Sequence, residues 1–301
     1  MQIAMVGLGR MGLNMARRLV RGGHSVVGYN NLAEATATAE KEGITGAYSL
    51  KELAERLERP RTIWLMVPSG GPVDEVIEGL TPYLSAGDTI IDGGNSFYKD
   101  AVRRSGQLKA DGINFVDVGV SGGIWGLKEG YCLMSGGDKE ACERLDPLFK
   151  TLAPVDGYMY CGPTGAGHYV KMVHNGIEYG MMEAYAEGFE LMNAGPYGET
   201  LDLGDVASLW MKGSVVRSWL LELVASALQK DPGLASIRGH VDDSGEGRWM
   251  VKEAVDTGVS MPVITEALFR RFRSRLDDSF GEKVLAALRM EFGGHAVKTR
   301  K

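Results

Sequence analysis

Gln2-Ile3-Ala4-Met5-Val6-Gly7-Leu8-Gly9-Arg10-Met11-Gly12 stands at the start of the chain, and its reading decides the fold. An apolar run of strand length leads directly into Gly-x-Gly-x-x-Gly, and an amphipathic stretch, 11–21, opens inside the motif. In that setting the glycines suit a dinucleotide. They permit a tight turn, let backbone approach a pyrophosphate, and place its charge at a helix N-terminus. Without the flanking strand and helix, the same spacing would read as an ordinary glycine turn. Gly7, Leu8, Gly9, Arg10, Met11 and Gly12 are therefore the expected cofactor turn.

Outward from this turn, short apolar runs at 2–6, 25–29, 62–67, 89–92 and 114–118 alternate with amphipathic stretches such as 50–57 and 72–84. This alternation predicts βαβ units and a mostly parallel sheet, with further short strands at 132–135 and 159–160. From about Gly165 the pattern turns helical: a long helix through Asn193, then 204–228, 247–256, 263–276 and 280–291. The expected fold is α/β, a Rossmann-type doubly wound sheet over 1–164 followed by an all-α domain over 165–301. No repeat, low-complexity tract or Pro/Ser-rich linker interrupts the 301 residues.

The ends of the strands supply the next candidates. The second strand ends in Tyr29-Asn30-Asn31-Leu32, where an acid would bind the ribose of NAD and an arginine the extra phosphate of NADP. Neither is present. The missing cation favours NAD, with Asn30 and Asn31 as ribose contacts, and NADP stays open because two asparagines could serve either ribose form and Arg10 of the glycine turn is expected nearby. Val67-Pro68-Ser69-Gly70-Gly71, Asp92-Gly93-Gly94-Asn95-Ser96 and Val120-Ser121-Gly122-Gly123 each follow an apolar run, where open parallel sheets bind ligands. Val67 and Asn95 are expected at the cofactor. Asn95 also faces a plain alternative, an asparagine in a glycine turn.

Gly165-Ala166-Gly167-His168-Tyr169-Val170-Lys171-Met172-Val173-His174-Asn175-Gly176-Ile177-Glu178-Tyr179 begins the helical half. Lys171, His174, Asn175 and Glu178 fall at i, i+3, i+4 and i+7, which is one face of a helix at about 100° per residue. Lys171 and Glu178 would lie about 10 Å apart along the axis. That spacing is too long for an i, i+4 ion pair and suits a base and an acid serving different carbons of one polyol. His174 on its own would read as a satisfied core histidine. Gly176 inside the helix weakens it by about 1 kcal/mol.

Composition sets the outer bounds. With 44% hydrophobic and 24% charged residues the chain is that of a globular protein, and its net charge of −6 argues against nucleic acid as a partner. Residues 1–7 lack a basic leader, and no segment approaches the ~20 apolar residues of a membrane span. Cys132, Cys142 and Cys161 have no metal-ligand spacing and read as reduced thiols of a cytoplasmic protein.

Taken together, 6–12, 92–96, 120–123 and 167–179 resemble 6-phosphogluconate dehydrogenases of the β-hydroxyacid dehydrogenase superfamily. The likeness runs nearly the whole chain and is to the short form. The related 3-hydroxyisobutyrate dehydrogenases share the fingerprint, the Ser-Gly-Gly loop and a helix lysine, so a small unphosphorylated acid is the alternative substrate. Lys171 with His174-Asn175 and Glu178-Tyr179 is the more specific part.

The resemblance implies oxidative decarboxylation of 6-phosphogluconate in the pentose phosphate pathway, with no metal and with NAD as oxidant. It assigns Lys171, in neutral form, as the base at the C3 hydroxyl and Glu178 as the acid at C1 of the enediol as it becomes the ketose. Asn95, Ser121, Gly122, Gly123, His174, Asn175 and Tyr179 would hold the substrate, and Arg271 its phosphate. Arg289 and His295 match a tail segment that in long enzymes reaches a partner subunit's site, implying a homodimer or homotetramer. Two departures stand out. Ser244 occupies roughly the place of a phosphate-site lysine of the long enzymes, and Ile124-Trp125-Gly126 replaces their sequence after Ser-Gly-Gly.

Overall fold

The structure, a computed structural model, describes residues 1–298. It separates into two compact units, Met1–His174 and Asn175–Lys301.

The first unit is built on one sheet of β1 (Gln2–Val6), β2 (Ser25–Tyr29), β3 (Thr45–Ala47), β4 (Thr62–Leu65), β5 (Thr89–Asp92), β6 (Asn114–Ser121), β7 (Cys132–Gly137) and β8 (Tyr158–Gly162). Its order is β3-β2-β1-β4-β5-β6-β7-β8, parallel throughout except where β7 pairs antiparallel with β6. The predicted strands are present, and β3 is the addition. Its three residues, Thr-Gly-Ala, are too few and too small to show a strand period.

Helices α1 (Arg10–Arg21), α2 (Ala33–Glu40), α3 (Leu50–Glu55), α4 (Gly71–Leu80), α5 (Tyr98–Leu108), α6 (Gly126–Glu129), α7 (Lys139–Arg144) and α8 (Asp146–Leu152) lie between the strands. Two apolar layers result. Ile3, Met5, Trp64 and Ile91 pack with Met15 and Leu19 of α1 and Phe149 of α8. Ala4, Val6, Ile63 and Ile90 pack with Leu53, Val73, Ile77 and Ala101 of α3, α4 and α5. Alternate residues of one strand feed opposite layers, which is why the strands read as continuous apolar runs. Strand order reverses between β1 and β4, so the loops after these two strands flank the switch point where such sheets bind ligands.

Helix α9 (Ala166–Ala194) runs unbroken from the first unit into the second. Its start is fixed by β6: the buried carboxylate of Asp117 accepts from the backbone N–H of Gly165 at 2.6 Å and of His168 at 2.8 Å. A side chain at Gly167 would strike Met134 O at 2.4 Å, so glycine lets this first turn settle on the sheet.

The second unit continues with α10 (Leu203–Trp210), α11 (Trp219–Lys230), α12 (Glu246–Thr257), α13 (Pro262–Ser274) and α14 (Phe280–Gly293). The single helix expected over 204–228 is two. Gly213 turns the chain at φ +84°, and Ser218 starts α11 by accepting from Leu221 N at 3.1 Å while bonding Tyr185 Oη at 2.8 Å. Small cores serve here: Ala207, Leu221 and Ala225 with Tyr185 and Phe189, and Tyr179 with Ala267 and Leu268. Gly176 has a packing reason, because a Cβ there would meet Met250 Sδ at 1.9 Å. Among the described residues no helix is long and apolar enough to cross a membrane, and the three cysteines are free thiols.

Candidate active site

The glycine turn after β1 has the shape a pyrophosphate needs. Gly7 has φ +95°, and a Cβ on it would lie 2.4 Å from Met66 O; one on Gly12 would lie 1.9 Å from Gly7 O. These two glycines allow α1 to close on the strand. Gly9 has nothing within 4 Å of its would-be Cβ, so that side of the turn is open. No side chain caps α1 and its first turn has no acid, which leaves its N–H groups and positive end directed outward. The residues fit a dinucleotide.

Asn30 ties the second strand to this turn. Its Oδ1 accepts from Leu8 N at 3.0 Å and its Nδ2 donates to Asn31 Oδ1 at 3.0 Å. Asn30 thus shapes the glycine turn, whereas Asn31 is exposed. Val67 is half-buried just past β4, and Asn95 is exposed in the loop after β5.

A buried charge cluster, unmarked in the sequence reading, holds these loops. Asp92 is fully buried, accepts from Gly94 N at 3.1 Å and sits 3.3 Å from Arg104 Nη1. Arg104 also donates to Gly70 O at 3.0 Å and to Asp74 at 2.8 Å. His168 Nε2 lies 3.6 Å from Asp92. Burial works against charge on both partners, yet their mutual attraction prevails. The carboxyl of Asp92 is held below its ordinary range and the imidazole of His168 above its own. Asp117, by contrast, is raised by burial in spite of the charge of His168 and two backbone N–H donors.

Lys171 is 9% exposed on α9. Its Nζ lies 3.3 Å from His174 Nδ1, and His174 Nε2 lies 3.4 Å from Ser121 Oγ. The Ser-Gly-Gly loop, the histidine and the lysine therefore form one chain of contacts. Gly122 and Gly123 take φ +126° and +53°, which only glycine adopts freely. Gly119 gives Lys171 its place: a Cβ there would be 2.4 Å from Lys171 Cβ. That glycine carried no signal in the sequence, since it lies inside a strand.

In the second unit, Asn175 and Tyr179 are buried and Glu178 is partly buried. Arg271 stacks over the Tyr179 ring at 3.6 Å and donates to Asp242 O at 2.9 Å. Burial, then the charge of Glu246, pushes the Tyr179 hydroxyl up, against hydrogen bonding from Ser244 and the charge of Arg271. Arg289 on α14 and His295 beyond it are exposed. The structure thus gathers Ser121, Lys171 and His174 in one unit, and Asn175, Tyr179 and Arg271 in the other.

A doubly wound sheet with an open glycine turn at its switch point, and a buried lysine on the following helix, defines a dinucleotide-dependent dehydrogenase. Residues 2–162 match the NAD binding domain of 6-phosphogluconate dehydrogenase, and 167–295 match the C-terminal domain of that enzyme. The chain belongs to the 6-phosphogluconate dehydrogenase family. It is 43% identical to the NAD(+)-dependent, decarboxylating 6-phosphogluconate dehydrogenase of Haloferax volcanii, over 99% of this chain and 98% of that one. It is 41% identical to a decarboxylating 6-phosphogluconate dehydrogenase of Synechococcus elongatus, over 91% of this chain but 62% of that longer one. Among solved structures, Plasmodium falciparum 6-phosphogluconate dehydrogenase superposes with a TM-score of 0.83 at 29% identity, covering 100% of this chain and 67% of its own.

Proposed function

We propose that the chain oxidises and decarboxylates 6-phosphogluconate to ribulose 5-phosphate and CO2 with NAD, in the cytoplasm and within the pentose phosphate pathway. The observation that carries this is the contact chain Lys171–His174–Ser121, with Lys171 of α9 buried against the strand position that Gly119 clears. A nicotinamide bound at the glycine turn's site would supply the hydride acceptor for C3. Lys171 takes the proton of the C3 hydroxyl as a neutral amine. Protonated by that step, it then polarises the C3 ketone while the C1 carboxylate leaves. His174 holds Lys171 on one side and Ser121 on the other, fixing the amine's direction. Glu178, two helical turns on, returns a proton to the former C2 of the enediol that remains, which becomes C1 of ribulose 5-phosphate.

Asn95, Ser121, Gly122, Gly123, Asn175 and Tyr179 hold the substrate's carboxylate and hydroxyls, and Arg271 its phosphate through paired guanidinium contacts. A homodimer or homotetramer completes the reading. Helix α14 exposes Phe280, Val284, Leu285 and Leu288, and an apolar groove of about 600 Å³ runs along Tyr185, Phe189, Leu220, Val224 and Leu228. A second copy covering such surface would bring Arg289 and His295 to a neighbouring site.

The test is to mix the protein with 6-phosphogluconate and NAD or NADP, and to follow absorbance at 340 nm together with CO2. Stoichiometric reduction and CO2, faster with NAD, is expected. Silence with both, alongside turnover of 3-hydroxyisobutyrate, would overturn the substrate assignment.

A further inference from the structure

Glu246 is 2% exposed at the first position of α12, yet a carboxyl group there serves the core poorly. Its Oε1 accepts from Asn175 Nδ2 at 3.0 Å and from Ser244 Oγ at 3.4 Å. Its Oε2 is buried with no hydrogen-bond partner among the described residues. A buried polar atom without a partner costs stability, so packing alone gives no reason for it.

The backbone around it is built to bring it close. Gly245 turns the chain at φ +104° to begin α12. Gly247 lets that first turn approach Tyr179, whose ring atom would be 2.7 Å from a Cβ at this position. Gly176 does the same one turn further along, against Met250. The positive end of α12 also favours a carboxylate at its first residue.

We infer that Glu246 is a positioning residue that sets the polarity of the Asn175 amide. An asparagine amide has a donor side and an acceptor side, and an amide flip exchanges them. A carboxyl oxygen against Nδ2 fixes one choice, turning Oδ1 to the other side as an acceptor for substrate hydroxyls. Glutamine in place of Glu246 keeps size and shape but can meet either side of the amide, so the choice is lost. This inference rests on the reading of Asn175 as a substrate contact, and the experiment separates the two.

The experiment compares E246Q, E246D, N175A and E246Q/N175A in the full-length protein, measuring kcat, KM for 6-phosphogluconate, KM for NAD and Tm. E246Q should raise KM for 6-phosphogluconate about tenfold, equivalent to ~1.4 kcal/mol. KM for NAD should stay unchanged and Tm should stay close to wild type, because glutamine keeps the size and shape of the buried side chain. E246D, which keeps the acceptor, should lie between wild type and E246Q. The double variant should be no worse than N175A alone. Wild-type KM in E246Q with an impaired N175A would overturn the role of Glu246 while leaving Asn175 at the substrate. An unimpaired N175A would overturn the Asn175 assignment and this inference with it. Multiplying effects, or a fall in Tm with both KM values raised, would make Glu246 merely structural.

Discussion

The two units reach order by different means. In the first, apolar layers on both faces of one sheet do the work, and buried charges find partners within it, as Arg61 with Asp88 and Arg104 with Asp92. In the second the cores are small, and a loop over 231–245 is held by polar ties to α13 and the turn after it. Ser274 accepts from Val241 N, Arg271 donates to Asp242 O, Arg275 pairs with Asp243, and Arg238 with Asp277. Large apolar side chains meanwhile stay exposed, Phe280 at 79% and Leu285 at 63%. The second unit thus leaves more apolar surface than its own small cores use, and the proposed homo-oligomer would cover it.

Replacing Lys171 gives the largest expected effect and tests whether the first unit supplies chemistry rather than shape alone. K171M should lower kcat by ~10³-fold, within the range for general acid–base groups, with Tm and NAD affinity close to wild type. Loss of the sheet's thermal transition instead would mean that Lys171 is part of the core. On the other side of the comparison, L285E/L288E should dissociate the proposed oligomer and lower turnover, by less than K171M does, while the chain stays folded. Two leucines buried for ~2 kcal/mol each correspond to a ~10³-fold weaker dissociation constant. Unchanged mass by light scattering would break the argument from surplus apolar surface.

The same contrast decides what could be read from the sequence. The glycine turn is legible because its requirement is local: Gly7, Gly9 and Gly12 act through backbone geometry within six residues. The sheet is legible because strands buried on both faces must be apolar throughout. The candidate face of α9, Lys171, His174, Asn175 and Glu178, shows itself through helical spacing. By contrast, Gly119 makes room for a residue 52 positions later, and Glu246 meets Asn175 across 71 positions. Asp92, His168 and Asp117 lie in segments with a clear pattern and Arg104 in one without, but a charge that is buried looks no different in sequence from one that is solvated. Gly213 sits within a largely helix-compatible stretch, where a turn glycine looks no different from a helical one, so 204–228 reads as one helix although the chain forms two.

Asp243 tests how much the polar ties of the second unit contribute. Its side chain is 4% exposed and pairs with Arg248 at 2.7 Å and Arg275 at 2.5 Å. First the hydrogen bonds from Arg248, then those from Arg275, hold its carboxyl down at about 2, against burial, from an ordinary 3.8. A folded-state value below the unfolded one gives stability that is present above the unfolded value and is lost as pH falls through the folded one. D243N should therefore cost roughly 1–2 kcal/mol near neutrality, after a discount for the half-exposed Arg248. The gap to wild type should close between 3.8 and about 2 in a series of denaturant melts. A gap independent of pH would mean that shape, not charge, holds the loop.

The smallest effect is expected at Asn30, and it sharpens the comparison because it isolates one polar tie in the unit whose core is ordered mainly by packing. Leu8 N has the Asn30 side chain as its acceptor at 3.0 Å, so the second strand fixes the turn on which a pyrophosphate would rest. N30A removes that acceptor without touching Gly7 or Gly12, whose close approaches keep α1 in place. Losing one neutral hydrogen bond costs ~1 kcal/mol, which is about a fivefold rise in KM for NAD. KM for 6-phosphogluconate should not move, and Tm should change little, since the apolar layers are intact. If both KM values rise together, the turn is ordered from the sheet core as a whole. If only NAD is affected, a single side chain tunes the turn while the core beneath it stays fixed.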